Sequence, residues 1–61
     1  MCIATAYVHS GEEQEVIARN IRFLSVEKGE VLLQDILGRT TIFEGELLSV
    51  DLESGIIKLK K

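Results

Sequence analysis

Proline and tryptophan are absent from this 61-residue chain, and cysteine, histidine, methionine and tyrosine occur once each. Each scarcity removes a class of answer. One cysteine cannot build a disulfide framework, which needs several. A chain near the lower size limit for an independent hydrophobic core is therefore expected to find support in oligomerisation or a bound metal. Two phenylalanines and one tyrosine offer little for stacking on bases. Apolar runs last only a few residues, far short of the roughly 20 that a membrane-spanning helix needs. No basic leader with an apolar run and cleavage site is evident. The expectation is a cytoplasmic protein whose thiol stays reduced, with residues 1–61 forming one β-barrel domain.

Charge narrows the partners. Seven basic residues against ten acidic ones give a net charge of −3, whereas non-specific nucleic-acid affinity comes mainly from lysine and arginine displacing counterions. The one basic cluster, Lys58, Lys60 and Lys61, reads as an edge-protecting tail on a last strand. A hydrophobic fraction of 46% is that of a globular protein, so disorder is not expected.

What is present is a β rhythm. Strand signals recur every eight to twelve residues with turn residues between them, the spacing of a small barrel or sandwich. The first strand is expected from about Cys2 to His9, closed by Ser10-Gly11. Glu12 to Asn20 reads as an edge strand or a helical turn, with the strand preferred and Asn20 as its exit. Ile21 to Glu27 and Glu30 to Ile36 form a hairpin about Lys28-Gly29, where glycine supplies the positive φ of a tight turn. Leu37-Gly38 turns into Arg39 to Glu44, Gly45 marks a bend, Glu46 to Leu52 alternates, and Glu53-Ser54-Gly55 leads to Ile56 to Lys60. The expected fold is all-β, a small and mainly antiparallel barrel. Its expected core is Val8, Phe23, Val31, Leu33, Ile42, Leu48, Val50, Leu52, Ile57 and Leu59.

Few side chains can converge on chemistry. If Cys2 and His9 share the first strand, roughly 24 Å separates them and odd spacing puts them on opposite faces, so a nucleophile and base pair or a shared metal site within one subunit is not expected. Glu12, Glu13 and Glu15 form an acidic cluster that reads as a solvated turn, because hard-cation sites need several oxygens from defined loop positions. Asp51 is read as structural, accepting turn amides as aspartate does. The glycines punctuate hairpins and build no phosphate loop.

Cys2 is the exception. Behind Met1, its thiolate and its own amide nitrogen close a five-membered ring on a metal, and a terminal amine closes another. Such nitrogen and sulfur donors suit nickel or copper in square-planar geometry. The competing reading is a small buried hydrophobe. Two chains about a twofold axis would double the donors, because such an interface presents the same surface to itself.

The Met1-Cys2 start, the glycine before Glu46-Leu47, and the ending Val50-Asp51-Leu52-Glu53-Ser54-Gly55-Ile56-Ile57-Lys58-Leu59 together resemble the CooT family, small nickel-binding proteins of carbon monoxide dehydrogenase maturation. The resemblance covers essentially the whole chain. It implies a homodimer of SH3-like β-barrels that binds Ni(II) through Cys2, with backbone nitrogens of Cys2 and Ile3, and Met1 where retained, as co-ligands. It further implies an accessory, non-enzymatic role with carbon monoxide dehydrogenase as a client. No histidine-rich tail of a nickel store is present. The alternative is an RNA- or protein-binding small barrel with an incidental cysteine.

Overall fold

The computed structural model describes residues 3–61. Alternating side chains build six strands in chain order: β1 (Ala4–Ser10), β2 (Glu13–Glu27), β3 (Glu30–Asp35), β4 (Thr40–Glu44), β5 (Glu46–Asp51) and β6 (Ile56–Lys60). They form one curled sheet in the order β4-β3-β2-β1-β6-β5, a half-barrel of the SH3-like kind. Four ladders are antiparallel. The fifth, between β1 and β6, is parallel and joins the two ends of the chain.

β2 corrects the expected boundaries. Two strands meeting at Asn20 were expected, and a single strand of 15 residues runs through. Asn20 takes φ +57°, a left-handed conformation that asparagine tolerates better than most residues. The extra residues are absorbed as register shifts against β1, between Ala4 and Ala6 and between Ala6 and Tyr7, and against β3 between Ile21 and Phe23. Bulges of this kind bend a strand without ending it. The first part of β2 therefore pairs with β1 and its second part, from Ile21, with β3.

Gly45 turns the other corner. A β-carbon there would collide with the Lys60 carbonyl and the Phe43 ring, so only glycine lets the chain pass from β4 straight into β5 on the opposite wall. Its N–H donates to the Gly29 carbonyl at 3.0 Å, which fixes the corner to the β2–β3 turn.

The core consists of Ala4, Ala6, Val8, Ile21, Val31, Leu33, Ile57 and Leu59. Ala4, Ala6 and Ile21 were missing from the expected core. Alanine carries too little apolar area to stand out in a sequence pattern, yet it suits the crowded centre of a barrel this small. Five expected core residues are exposed: Phe23 at 51%, Ile42 at 59%, Leu48 at 50%, Val50 at 40% and Leu52 at 66%. Ile42 faces outward because its neighbours Thr41 and Phe43 pair with the buried Leu33 and Val31. Leu48 falls at the register shift between Leu47 and Ser49. Val50 pairs with the buried Ile57 and so faces inward, but the half-barrel is open there.

Candidate functional site

The start of β1 is where the two ends of the sequence pattern meet. Asp51 closes β5 and organises the turn that follows: its Oδ1 accepts the N–H groups of Glu53 and Ser54, each at 3.0 Å, and its carbonyl accepts the Gly55 N–H at 2.8 Å. The expected structural role of Asp51 is thus what the geometry shows. The bonds to its carboxyl, led by the Ser54 N–H and including that of Glu53, hold the Asp51 carboxyl below its ordinary value, with a smaller contribution from the charge of Lys58.

The turn in turn grips β1. Thr5 N–H donates to the Gly55 carbonyl at 2.9 Å. Gly55 has φ +71°, and a β-carbon there would stand 2.7 Å from the Ile3 carbonyl oxygen. Both the conformation and the close approach require glycine. Gly55 therefore bonds Thr5 and lies close against the backbone of Ile3, the residue directly after Cys2. Neither chain end reveals this alone, because the contact spans about fifty residues of sequence and depends on the parallel β1–β6 ladder.

Met1 and Cys2, the expected ligands, lie outside the described residues, as does any contact of theirs. Ile3, the third backbone position in that expectation, is 44% exposed. His9 sits near the opposite end of β1, paired in register with Gln14 and Lys60, roughly 20 Å along the strand from Ile3. Glu12, Glu13 and Glu15 are exposed. Among the described residues no three histidine, cysteine, aspartate or glutamate side chains converge as a metal site.

Beside this clasp, the Asp51–Gly55 turn against the start of β1, lies an apolar surface. A hollow of about 100 Å³ is lined by Ala4, Ile21, Phe23, Val50, Leu52 and Ile57 among others, so the core reaches the surface at this end of the half-barrel. Phe23, Val50 and Leu52 are its exposed rim, and Ile3 adds an exposed side chain next to Ala4. The misplaced core residues of the sequence reading are, in good part, this rim. On the outer face of the sheet the parallel ladder sets Lys58 beside Tyr7 and Lys60 beside His9.

Comparison with known proteins gives one family and one fold. The family model "CO dehydrogenase accessory protein CooT" matches residues 1–60. A crystal structure described as a "putative CooT" from Carboxydothermus hydrogenoformans superimposes with a TM-score of 0.89 at 22% sequence identity, over 98% of this chain and 97% of that one. At that identity the likeness establishes the fold. No functionally curated protein matches the chain.

Proposed function

The chain belongs to the CooT family of CO dehydrogenase accessory proteins, and on that premise we propose that it binds Ni(II) through the Cys2 thiolate at a homodimer interface and supplies a nickel enzyme of this kind in the cytoplasm. Backbone nitrogen of Cys2 or Ile3, or the terminal amine of Met1, completes the donor set. The role is one of carrying, without catalysis.

The observation that carries this reading is the clasp. The Asp51–Gly55 turn bonds Thr5 and packs closely against the backbone of Ile3, next to the proposed ligand in sequence. The apolar rim beside it supports the second copy. Exposed apolar residues clustered next to an open core end are the mark of an association surface, and a twofold arrangement would bring two termini together. The residues fit nickel in their chemistry: thiolate and amide nitrogen are the donors that a square-planar ion takes.

The alternative reading, an RNA- or protein-binding module, draws support from Tyr7, Lys58, His9 and Lys60 standing beside one another on paired strands. The net charge of −3 opposes it.

Nickel titration of the untagged protein tests the proposal. Sulfur-to-nickel charge-transfer absorption should grow to a plateau, protons should be released, and affinity should fall with pH because the ligands must deprotonate. Cys2→Ser should lose the absorption and most of the affinity while keeping the β fold. Unchanged nickel affinity in that variant would remove the site.

A further inference from the structure

On the far side of Ile21 from the clasp lies a larger opening that the nickel reading does not use. Up to Asn20, β2 pairs with β1 on one edge only; among the described residues no strand pairs with the other edge until β3 joins at Ile21. β4 ends the sheet, so its outer edge is also unpaired. Between these edges runs a groove of about 610 Å³. Ile17 and Ala18 pack against the core on one side of it, and Arg19, Arg39, Thr40 and Thr41 line its polar parts.

One end of it is knit together by hydrogen bonds. Ile36 N–H donates to the Asn20 carbonyl at 3.0 Å, tying the β3–β4 turn to the bend of β2. Asp35, buried, accepts the Leu37 and Arg39 N–H groups at 2.9 Å each. Its second oxygen accepts the Arg39 Nε–H at 2.8 Å. That one bond fixes the guanidinium by its inner nitrogen and leaves the η nitrogens outside it, on a side chain that is 73% exposed. A guanidinium held this way presents its remaining donors in the planar fork that fits a carboxylate.

We propose that this groove takes an extended peptide segment, which adds as a strand to the free edge of β2 and places a carboxylate between Arg19 and Arg39. Strand addition supplies main-chain hydrogen bonds, and pockets for alternate side chains supply selectivity. At about 3.4 Å per residue, the edge of β2 up to Arg19 accommodates a short segment. Charge sets its direction. Glu13 and Glu15 lie toward the start of β2 and repel an acidic group there, while Arg19 and Arg39 stand at the other end and outnumber the one carboxylate that lines it, Asp35, already paired with Arg39. The site is separate from the clasp and does not depend on nickel.

The test uses the full, untagged protein and two N-acetylated tetrapeptides of alternating valine and threonine, one ending in aspartate with a free carboxyl terminus, the other in asparagine amide. Amide resonances of Val16 to Asn20 and of Thr40 and Thr41 should shift saturably with the acidic peptide. Arg39→Gln and Arg19→Gln should each weaken it by about tenfold without altering nickel titration or the β fold. Raising salt should weaken it as well. Equal binding of the neutral peptide would overturn the carboxylate assignment. No saturable binding below about 1 mM, or the same shifts appearing with protein concentration alone, would overturn the proposal, the second outcome making the groove a contact between copies.

Discussion

Two hairpin turns of this protein are organised by an aspartate that accepts backbone N–H groups, and they differ in what lies beyond them. The Asp51 turn is exposed and ends on Gly55, whose backbone presses against Ile3 and binds Thr5. The Asp35 turn is folded around a buried carboxylate that also fixes Arg39. The same local device thus does two jobs: one turn locates the start of β1, the other locates the Arg39 guanidinium at the end of a groove. The difference comes from the sheet around them, since the parallel β1–β6 ladder brings the start of β1 to the first turn and the bend of β2 at Asn20 brings a strand edge to the second.

The largest contrast should come from the glycines of these turns. Gly38 has φ +86°, and a β-carbon added there would meet no atom within 4 Å, so Gly38→Ala meets only conformational strain, about 1–2 kcal/mol. Gly55→Ala meets similar strain and a collision with the Ile3 carbonyl. It should cost more in urea denaturation and should lower nickel affinity, whereas Gly38→Ala should leave nickel affinity alone. Equal nickel affinity in both variants would break the link between the Asp51 turn and the terminus.

Acid should separate the two aspartates next. Burial alone would raise the Asp35 carboxyl, but the N–H bonds from Arg39 and Leu37 and the Arg39 guanidinium together hold it below the ordinary value of 3.8. Asp51 is held low as well, chiefly by the Ser54 N–H. A carboxyl lowered by folding contributes stability that is present above about pH 4 and lost as pH falls through the lowered value. Stability measured from pH 5 down to pH 2 should therefore decline in the wild type. Asp35→Asn and Asp51→Asn should each flatten that decline, with Asp35→Asn causing the greater loss at neutral pH because its site is buried.

Much of this architecture is legible in the sequence, for reasons that can be named. Turn chemistry at Lys28-Gly29, Leu37-Gly38 and Glu53-Ser54-Gly55 and alternation at Val31, Leu33, Ile57 and Leu59 locate β3 and β6 closely. Asp51 is readable because aspartate before a Ser-Gly turn has few other uses. The continuity of β2 is not readable: a bulge at Asn20 looks locally like a strand end, and only pairing partners on both sides show otherwise. The inward or outward facing of Ile42 and Val50 is likewise set by register with distant strands. Asp35 carries no sequence signal as an organiser of the groove, since its role depends on Arg39 and on the bend at Asn20, far earlier in the chain. The resemblance to CooT proteins identified the family, while the placement of Cys2 itself lies outside the described residues.

The apolar rim offers a smaller effect. If a second copy covers Phe23, Val50 and Leu52, then Leu52→Ser removes a contact of the kind that contributes about 1.5–3 kcal/mol when fully buried. Sedimentation should show the dimer dissociating at least tenfold more readily, with the monomer fold kept, because Leu52 is 66% exposed in the single chain. The smallest effect belongs to the basic cluster of β6, which pairs with β1 and β5 and so is an inner strand, not the edge strand expected of it. Glutamine in place of Lys58, Lys60 and Lys61 should leave nickel affinity unchanged, and salt-sensitive RNA binding by the wild type would instead favour the alternative function.

Native mass spectrometry of the untagged protein with nickel tests the central claim most directly, because it reads metal and subunit number in one spectrum. The account predicts a dimer carrying one nickel ion shared by two Cys2 thiolates, with no nickel on the Cys2→Ser dimer. Nickel retained by Cys2→Ser, or bound to isolated monomers with no dimer at any nickel concentration, would contradict it.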